Sequence, residues 1–180
     1  MMSALPSLEV LSIDCGSALV GTCGITFTEM GEALRAHGAL LKTLILNMEE
    51  SLFLLDHDGV LAPMGPLRAL TSLRLLSIPA VTLLGEEQDD DDSEGDRFEV
   101  PRFTEVLPFS LRTLNLVGGR AVDVDYEDFD EQLWSLMSDA RFSELKTIKV
   151  NQRESFSRDA KQVGWDASES NKSWVVLKRV

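Results

Sequence analysis

Only two cysteines, Cys15 and Cys23, occur in 180 residues. That is too few for a disulfide framework or a zinc site built from cysteine, and it points to a reducing compartment. Long apolar runs are missing too. No stretch approaches the ~20 residues that a spanning helix needs, so no membrane is expected as a partner. The opening residues, MMSALPSLEV, have no basic segment and no long apolar run, so no signal peptide is expected. Bases are scarce: seventeen Lys and Arg face thirty Asp and Glu, a formal net charge of −13. Such a balance argues against nucleic acid and anionic membrane as main partners. What these absences leave is an acidic, soluble chain of the cytoplasm or nucleus. With 44% hydrophobic residues, 180 residues suffice for one domain, residues 1–180, or one array of repeats around a core.

The charge is unevenly placed. Residues 86–96 read EEQDDDDSEGD, eight acids in eleven positions, and residues 123–131 add six more. The last forty residues reverse the balance, with nine bases against five acids. A block such as 86–97 cannot bury enough apolar surface to offset the entropy of ordering it, so it is expected as an acidic, disordered loop insertion.

Self-similarity decides the expected fold. L-P-S-L-E-V-L-S-I-D (Leu5 to Asp14) returns as L-T-S-L-R-L-L-S-I-P (Leu70 to Pro79). The shared core L-x-x-Φ-x-Φ, with Φ apolar, begins at Leu8, Leu41, Leu73, Leu111 and Leu145, with spacings of 33, 32, 38 and 34. That makes about five repeats of roughly 33 residues, and the one long interval holds the acidic block. Each core is too short for a helix and alternates with the period of a strand. Leu11 and Ile13, Leu44 and Leu46, Leu76 and Ile78, Leu114 and Leu116, and Ile148 and Val150 should therefore point inward. The separation between strands suits crossovers rather than hairpins. One crossover is a helix opened by a Thr26/Glu29 capping box, with Met30, Ala33, Leu34 and His37 on one face and Gly38 at its end. A second places Phe129, Leu133, Leu136, Met137 and Ala140 on one face. Arg153 to Val163 is expected as a third helix, and Trp174 to Val180 as a closing edge strand.

The expected class is thus α/β: a solenoid with one curved parallel sheet of five or six strands, and helices and loops on the convex side. These residues resemble leucine-rich repeats in a long, irregular form. The stretch from Met64 to Glu86, followed by Glu105 to Leu116, resembles fungal F-box/leucine-rich-repeat proteins more specifically. The resemblance covers Leu5 to Val150. It implies repeats that hold a substrate protein within an F-box-type ubiquitin ligase component. Two features depart from it. The Asn of typical repeat turns is replaced by Gly16, Glu49, Val81, Gly119 and Arg153, and no F-box of ~40 residues precedes Leu5.

Chemistry finds little support. Asp90, Asp92, Glu94 and Gly95 fit positions one, three, five and six of a calcium loop, but Pro101 stands where a bidentate Glu is required. Asp123, Asp125 and Glu127 fail likewise, with Asp128 in place of Gly and Trp134 at the last position. Gly16 to Thr22 has the glycine spacing of a phosphate loop without its lysine. No Gly-x-Ser-x-Gly elbow exists. His37 and His57 have no partner at a catalytic or zinc-binding spacing. Trp134 is expected in helix packing, and Trp165 and Trp174 at the C-terminal end of the core. No enzyme activity, cofactor or metal is expected.

The outward positions of the strands are more informative. One column reads Val10, Thr43, Leu75, Thr113, Thr147, and the next Ser12, Ile45, Ser77, Asn115, Lys149. These are small and mostly uncharged, on a surface that solenoids use for binding. A third column, Glu9, Lys42, Arg74, Arg112, Lys146, sets four bases on neighbouring strands, ~5 Å apart. It either keeps a strand edge soluble or offers an anionic peptide a groove, the chain's own 86–96 segment included. The expected function is a non-catalytic protein–protein interaction module whose partner is a protein, an acidic peptide among the candidates. The partner-binding residues are Lys42, Arg74, Arg112, Lys146, Thr43, Thr113, Thr147, Asn115 and Lys149. Two alternatives stay open: a truncated or vestigial repeat fragment without a partner, and an enzyme of unrecognised class.

Overall fold

A computed structural model describes residues 7–15, 26–48, 63–85, 100–117, 129–151, 159–170 and 174–180. Seven strands form one sheet. In chain order they are β1 (Val10–Cys15), β2 (Thr43–Met48), β3 (Leu75–Pro79), β4 (Thr113–Val117), β5 (Thr147–Asn151), β6 (Trp165–Ser170) and β7 (Trp174–Arg179). Their spatial order is β1-β2-β3-β4-β5-β7-β6. The first five are parallel, and Leu11, Leu44, Leu76, Leu114 and Ile148 lie directly opposite one another. The repeated apolar core and the strand register therefore coincide.

The end of the sheet differs from expectation. Among the described residues seven strands are present rather than five or six, and the last two run antiparallel to their neighbours. Trp174 to Val180 supplies β7, which pairs with β5 but is not the edge; β6 takes that place. Three residues separate β6 from β7. So short a link returns the chain as a hairpin and cannot form a crossover.

Leu44, Leu46, Leu76, Ile78, Leu114, Leu116, Ile148 and Val150 are all buried in one core. Leu11 and Ile13 are only half-buried, because β1 has a strand neighbour on one side alone among the described residues. The helices α1 (Phe27–His37), α2 (Ala80–Leu84), α3 (Phe103–Val106) and α4 (Phe129–Ser138) all bring buried residues to this core. Full burial of a leucine is worth roughly 1.5–3 kcal/mol, which identifies the inner row as the main source of stability.

The capping box of α1 is present: Thr26 accepts from the Glu29 backbone, and the Glu29 carboxylate accepts from the Thr26 N–H. Its buried face is Phe27, Gly31 and Leu34, with Met30 packed alongside, while His37 is exposed and Ala33 half-buried. The helix is rotated from the expected face because Gly31 lets it settle on the backbone of Met64, where a Cβ would overlap the carbonyl oxygen. Helix α4 buries Leu133, Leu136 and Met137, with Phe129 edge-on to Phe103 at 5.8 Å. Ala140 leaves that face; it is exposed in a 3-10 turn, Ala140–Phe142. Of the expected helix Arg153 to Val163, residues 153–158 lie outside the described residues. Ala160–Val163 is a 3-10 turn closed by Gly164 at φ 77°, a conformation that favours glycine.

Trp165 is fully buried, and its indole N–H donates to the Met137 carbonyl at 3.3 Å. Trp134 packs half-buried against the core, and Trp174 is half-buried on the opposite, outward row. The acidic insertion 86–97, Gly16 to Thr22, Cys23, His57 and Asp123 to Asp128 lie outside the described residues.

Candidate functional site

The local rule that builds the site is a repeated turn. The N–H of Leu41, Leu73, Leu111 and Leu145 donates to the carbonyl three residues back, on Gly38, Leu70, Pro108 and Phe142. One residue after each of these leucines comes a member of the basic column: Lys42, Arg74, Arg112 or Lys146. The turn fixes where that residue enters the sheet.

The column is continuous. The N–H of Lys42 donates to Glu9 O at 2.7 Å, Arg74 to Lys42 O at 2.8 Å, Arg112 to Arg74 O at 2.8 Å and Lys146 to Arg112 O at 2.9 Å. Arg179 of β7 extends the row by donating to Lys146 O at 3.0 Å. The carbonyls of Glu9, Lys42, Arg74 and Arg112 each accept a second bond from the first residue of the next strand, Thr43, Leu75, Thr113 or Thr147. Backbone geometry thus holds the row at the N-terminal edge of the parallel strands.

Neighbouring like charges destabilise unless they are solvated or paired. Here the side chains are exposed, and most reach sideways. Lys42 Nζ meets Glu9 Oε1 at 2.7 Å, and Arg112 Nη2 meets Glu144 Oε2 at 3.1 Å. Arg74 Nη1 donates to Ser110 O at 2.7 Å. Arg179 donates to Ser143 O and Met137 O, and its guanidinium lies 5.1 Å from the Trp165 ring centroid. Exposed pairs of this kind each contribute ~1 kcal/mol or less. The row is therefore tolerated rather than a main source of stability.

Next to the row lie the outward positions. Thr43, Leu75, Thr113 and Thr147 stand opposite one another, as do Ser77, Asn115 and Lys149. The threonines and Asn115 are half-buried, and Lys149 is exposed. Asn115 Oδ1 is buried with no hydrogen-bond partner. All nine expected partner-binding residues therefore come together on one face and its edge.

A cluster that the sequence did not reveal sits on the same edge. Phe109 is 40% exposed, high for a phenylalanine, and occupies the turn position held elsewhere by Ala39, Thr71 and Ser143. The guanidinium carbons of Arg68 and Arg141 lie 5.2 and 5.3 Å from its ring centroid. Beneath it, buried Phe142 makes an edge contact at 5.2 Å. Arg141 is held by Asp139 through Nε and Nη2, and Arg68 donates to the Thr104 carbonyl. The side-chain bond from Arg141 holds the Asp139 carboxyl below its ordinary range against slight desolvation, with the Arg68 charge also contributing. The same bond raises the Arg141 guanidinium further. An aromatic at an exposed turn position, where the other repeats carry small or polar residues, was the signal available.

Among the described residues no three His, Cys, Asp or Glu gather as a metal site. Nor is any described helix long and apolar enough to cross a membrane. The fold and edge define an α/β protein with a mostly parallel seven-stranded sheet. No family model matches the chain, and no significant match exists among the curated proteins or solved structures compared with it.

Proposed function

We propose that the chain is a non-catalytic protein–protein interaction module. In this reading the parallel strands and their crossovers are leucine-rich-repeat-like units, stacked as a solenoid with the helices on its convex side. The F-box/leucine-rich-repeat resemblance implies the particular form: substrate-recognition repeats of a ubiquitin ligase component. One observation carries the reading. The register of β1 to β5 sets Thr43, Thr113, Thr147, Asn115 and Lys149 in rows beside a continuous cationic edge. Small side chains leave room for a partner's backbone, and the edge supplies charge that orients it.

The test compares proteins retained by the immobilised chain with those retained by an Arg74→Glu, Arg112→Glu variant. Both side chains are exposed, so the variant should fold with unchanged circular dichroism. It should lose the specific partners, and the parent should release them as salt shortens the screening length below ~8 Å. Equal capture by a folded variant would reduce the cationic row to a solubility device.

A further inference from the structure

We propose that Arg68, Phe109 and Arg141 form the anchoring point for an acidic peptide, a linear segment of a protein partner with consecutive carboxylates. This rests on the interaction-module reading and gives its partner a chemistry and a place. The cluster lies in the turns before β3, β4 and β5, so it borders Arg74, Arg112 and Lys146 at the same sheet edge. No side-chain bond or ion pair holds Lys146 among the described residues, and its side chain is exposed.

The arrangement is preorganised. Phe142 supports the Phe109 ring from the core side, and the ring holds two guanidinium groups. Asp139 and the Thr104 carbonyl then fix the direction of each guanidinium. A guanidinium carries five N–H donors in a planar fork. Arg68 spends one on Thr104, and Arg141 leaves Nη1 uncommitted among the described residues. Free donors held in place by stacking and a lateral bond lose little entropy when a carboxylate takes them, and that bond is charge-assisted.

Packing alone does not account for the cluster. A single arginine would cover the exposed ring; here a second guanidinium, balanced by Asp139, is brought to the same ring. The ligand is peptide rather than nucleic acid because the whole chain carries −13. A long polyanion feels that entire field, whereas a short acidic segment feels chiefly the charges within a Debye length.

The experiment uses the full chain and a fluorescein-labelled peptide, EEQDDDDSEGD, read by anisotropy at low salt. Binding is expected, with at least a tenfold loss in Arg68→Glu, Arg141→Glu and a smaller loss in Phe109→Ala. Lys161→Glu, in the turn before β6 and outside the cluster, should bind as the parent does. Thermal melts of each variant confirm folding. Unchanged binding by the folded double variant would overturn the proposal. So would equal binding of a single-stranded DNA of matched charge, which would make the edge a generic anion surface. Binding seen only after residues 87–96 are deleted would overturn it too, since the chain's own acids would then hold the site. If the peptide fails but partner capture still requires Arg74 and Arg112, this inference falls and the module reading stands.

Discussion

Replacing Gly31 by alanine sets two effects against each other. Alanine favours an α-helix interior over glycine by about 1 kcal/mol, which argues for a stabilised protein. Against this, the new Cβ would overlap Met64 O and lie 2.7 Å from Met64 Cγ and 2.9 Å from its carbonyl carbon. Met64 O is main chain, it accepts from Arg35 Nη1 at 2.9 Å, and the Met64 side chain is fully buried. Neither side can yield cheaply. Relief requires roughly 1 Å of movement, enough to forfeit much of the contact energy that Phe27 and Leu34 make in the core. Overpacking costs about 1–3 kcal/mol, and a main-chain obstacle belongs in the upper part of that range, about 2–3 kcal/mol, so the clash wins and the net loss is roughly 1–2 kcal/mol. For a chain of this length that is a fall in Tm of roughly 2–8 °C. Urea unfolding should show a lower midpoint with an unchanged slope. A Tm equal to or above the parent's would refute the reasoning: helix α1 would not then rest on the Met64 backbone.

Three other outcomes are expected. Leu114→Ala, at the centre of the sheet and fully buried, should cost about 2–5 kcal/mol in urea unfolding, and a change below ~1 kcal/mol would contradict its central position. Deleting Glu87 to Asp96 should leave Tm nearly unchanged, because loop closure depends only logarithmically on length; a large drop by calorimetry would mean that these acids dock. Asp139→Asn should weaken the fold slightly at neutral pH. The Asp139 carboxyl is held below its ordinary 3.8, so its contribution is present above that value and lost as pH falls through the lowered one. The gap between variant and parent melts should therefore close in acid, and a gap that widened there would reverse the assigned sign.

The apolar alternation of Leu44/Leu46, Leu76/Ile78, Leu114/Leu116 and Ile148/Val150 made the parallel strands legible, because inward burial and sequence period are the same constraint. Strand β6 was not legible. Its run Asp166 to Ser170 has no large apolar residue, since an edge strand needs only backbone bonds to β7. The face of α1 was misjudged because helical spacing from Met30 and Leu34 favoured Ala33 and His37, while close backbone approach favoured Gly31. At the candidate site, the column Lys42, Arg74, Arg112 and Lys146 could be read from its repeat position. Phe109 could be singled out as an aromatic at a turn position, but its meeting with Arg68 and Arg141 could not, since the three come from different turns that only the strand pairing brings together.

The doubly accepting carbonyls along the cationic edge also set a measuring scale. Strands about 4.8 Å apart repeat their charges at that pitch, whereas an extended peptide presents side chains on one side about every 6.8 Å. The two rulers coincide near 14 Å, which is about three strand steps or four peptide residues. A peptide laid across the strands would thus meet Lys42 and Lys146 with acids at i and i+4, while Arg74 and Arg112 fall between its marks. Isolated acids would register with the edge only occasionally; a dense run always has one near each cation. On the proposed reading a vernier of this kind would measure the density of carboxylates and not their order, so any discrimination between one acidic segment and another would have to arise off the row, at the aromatic turn.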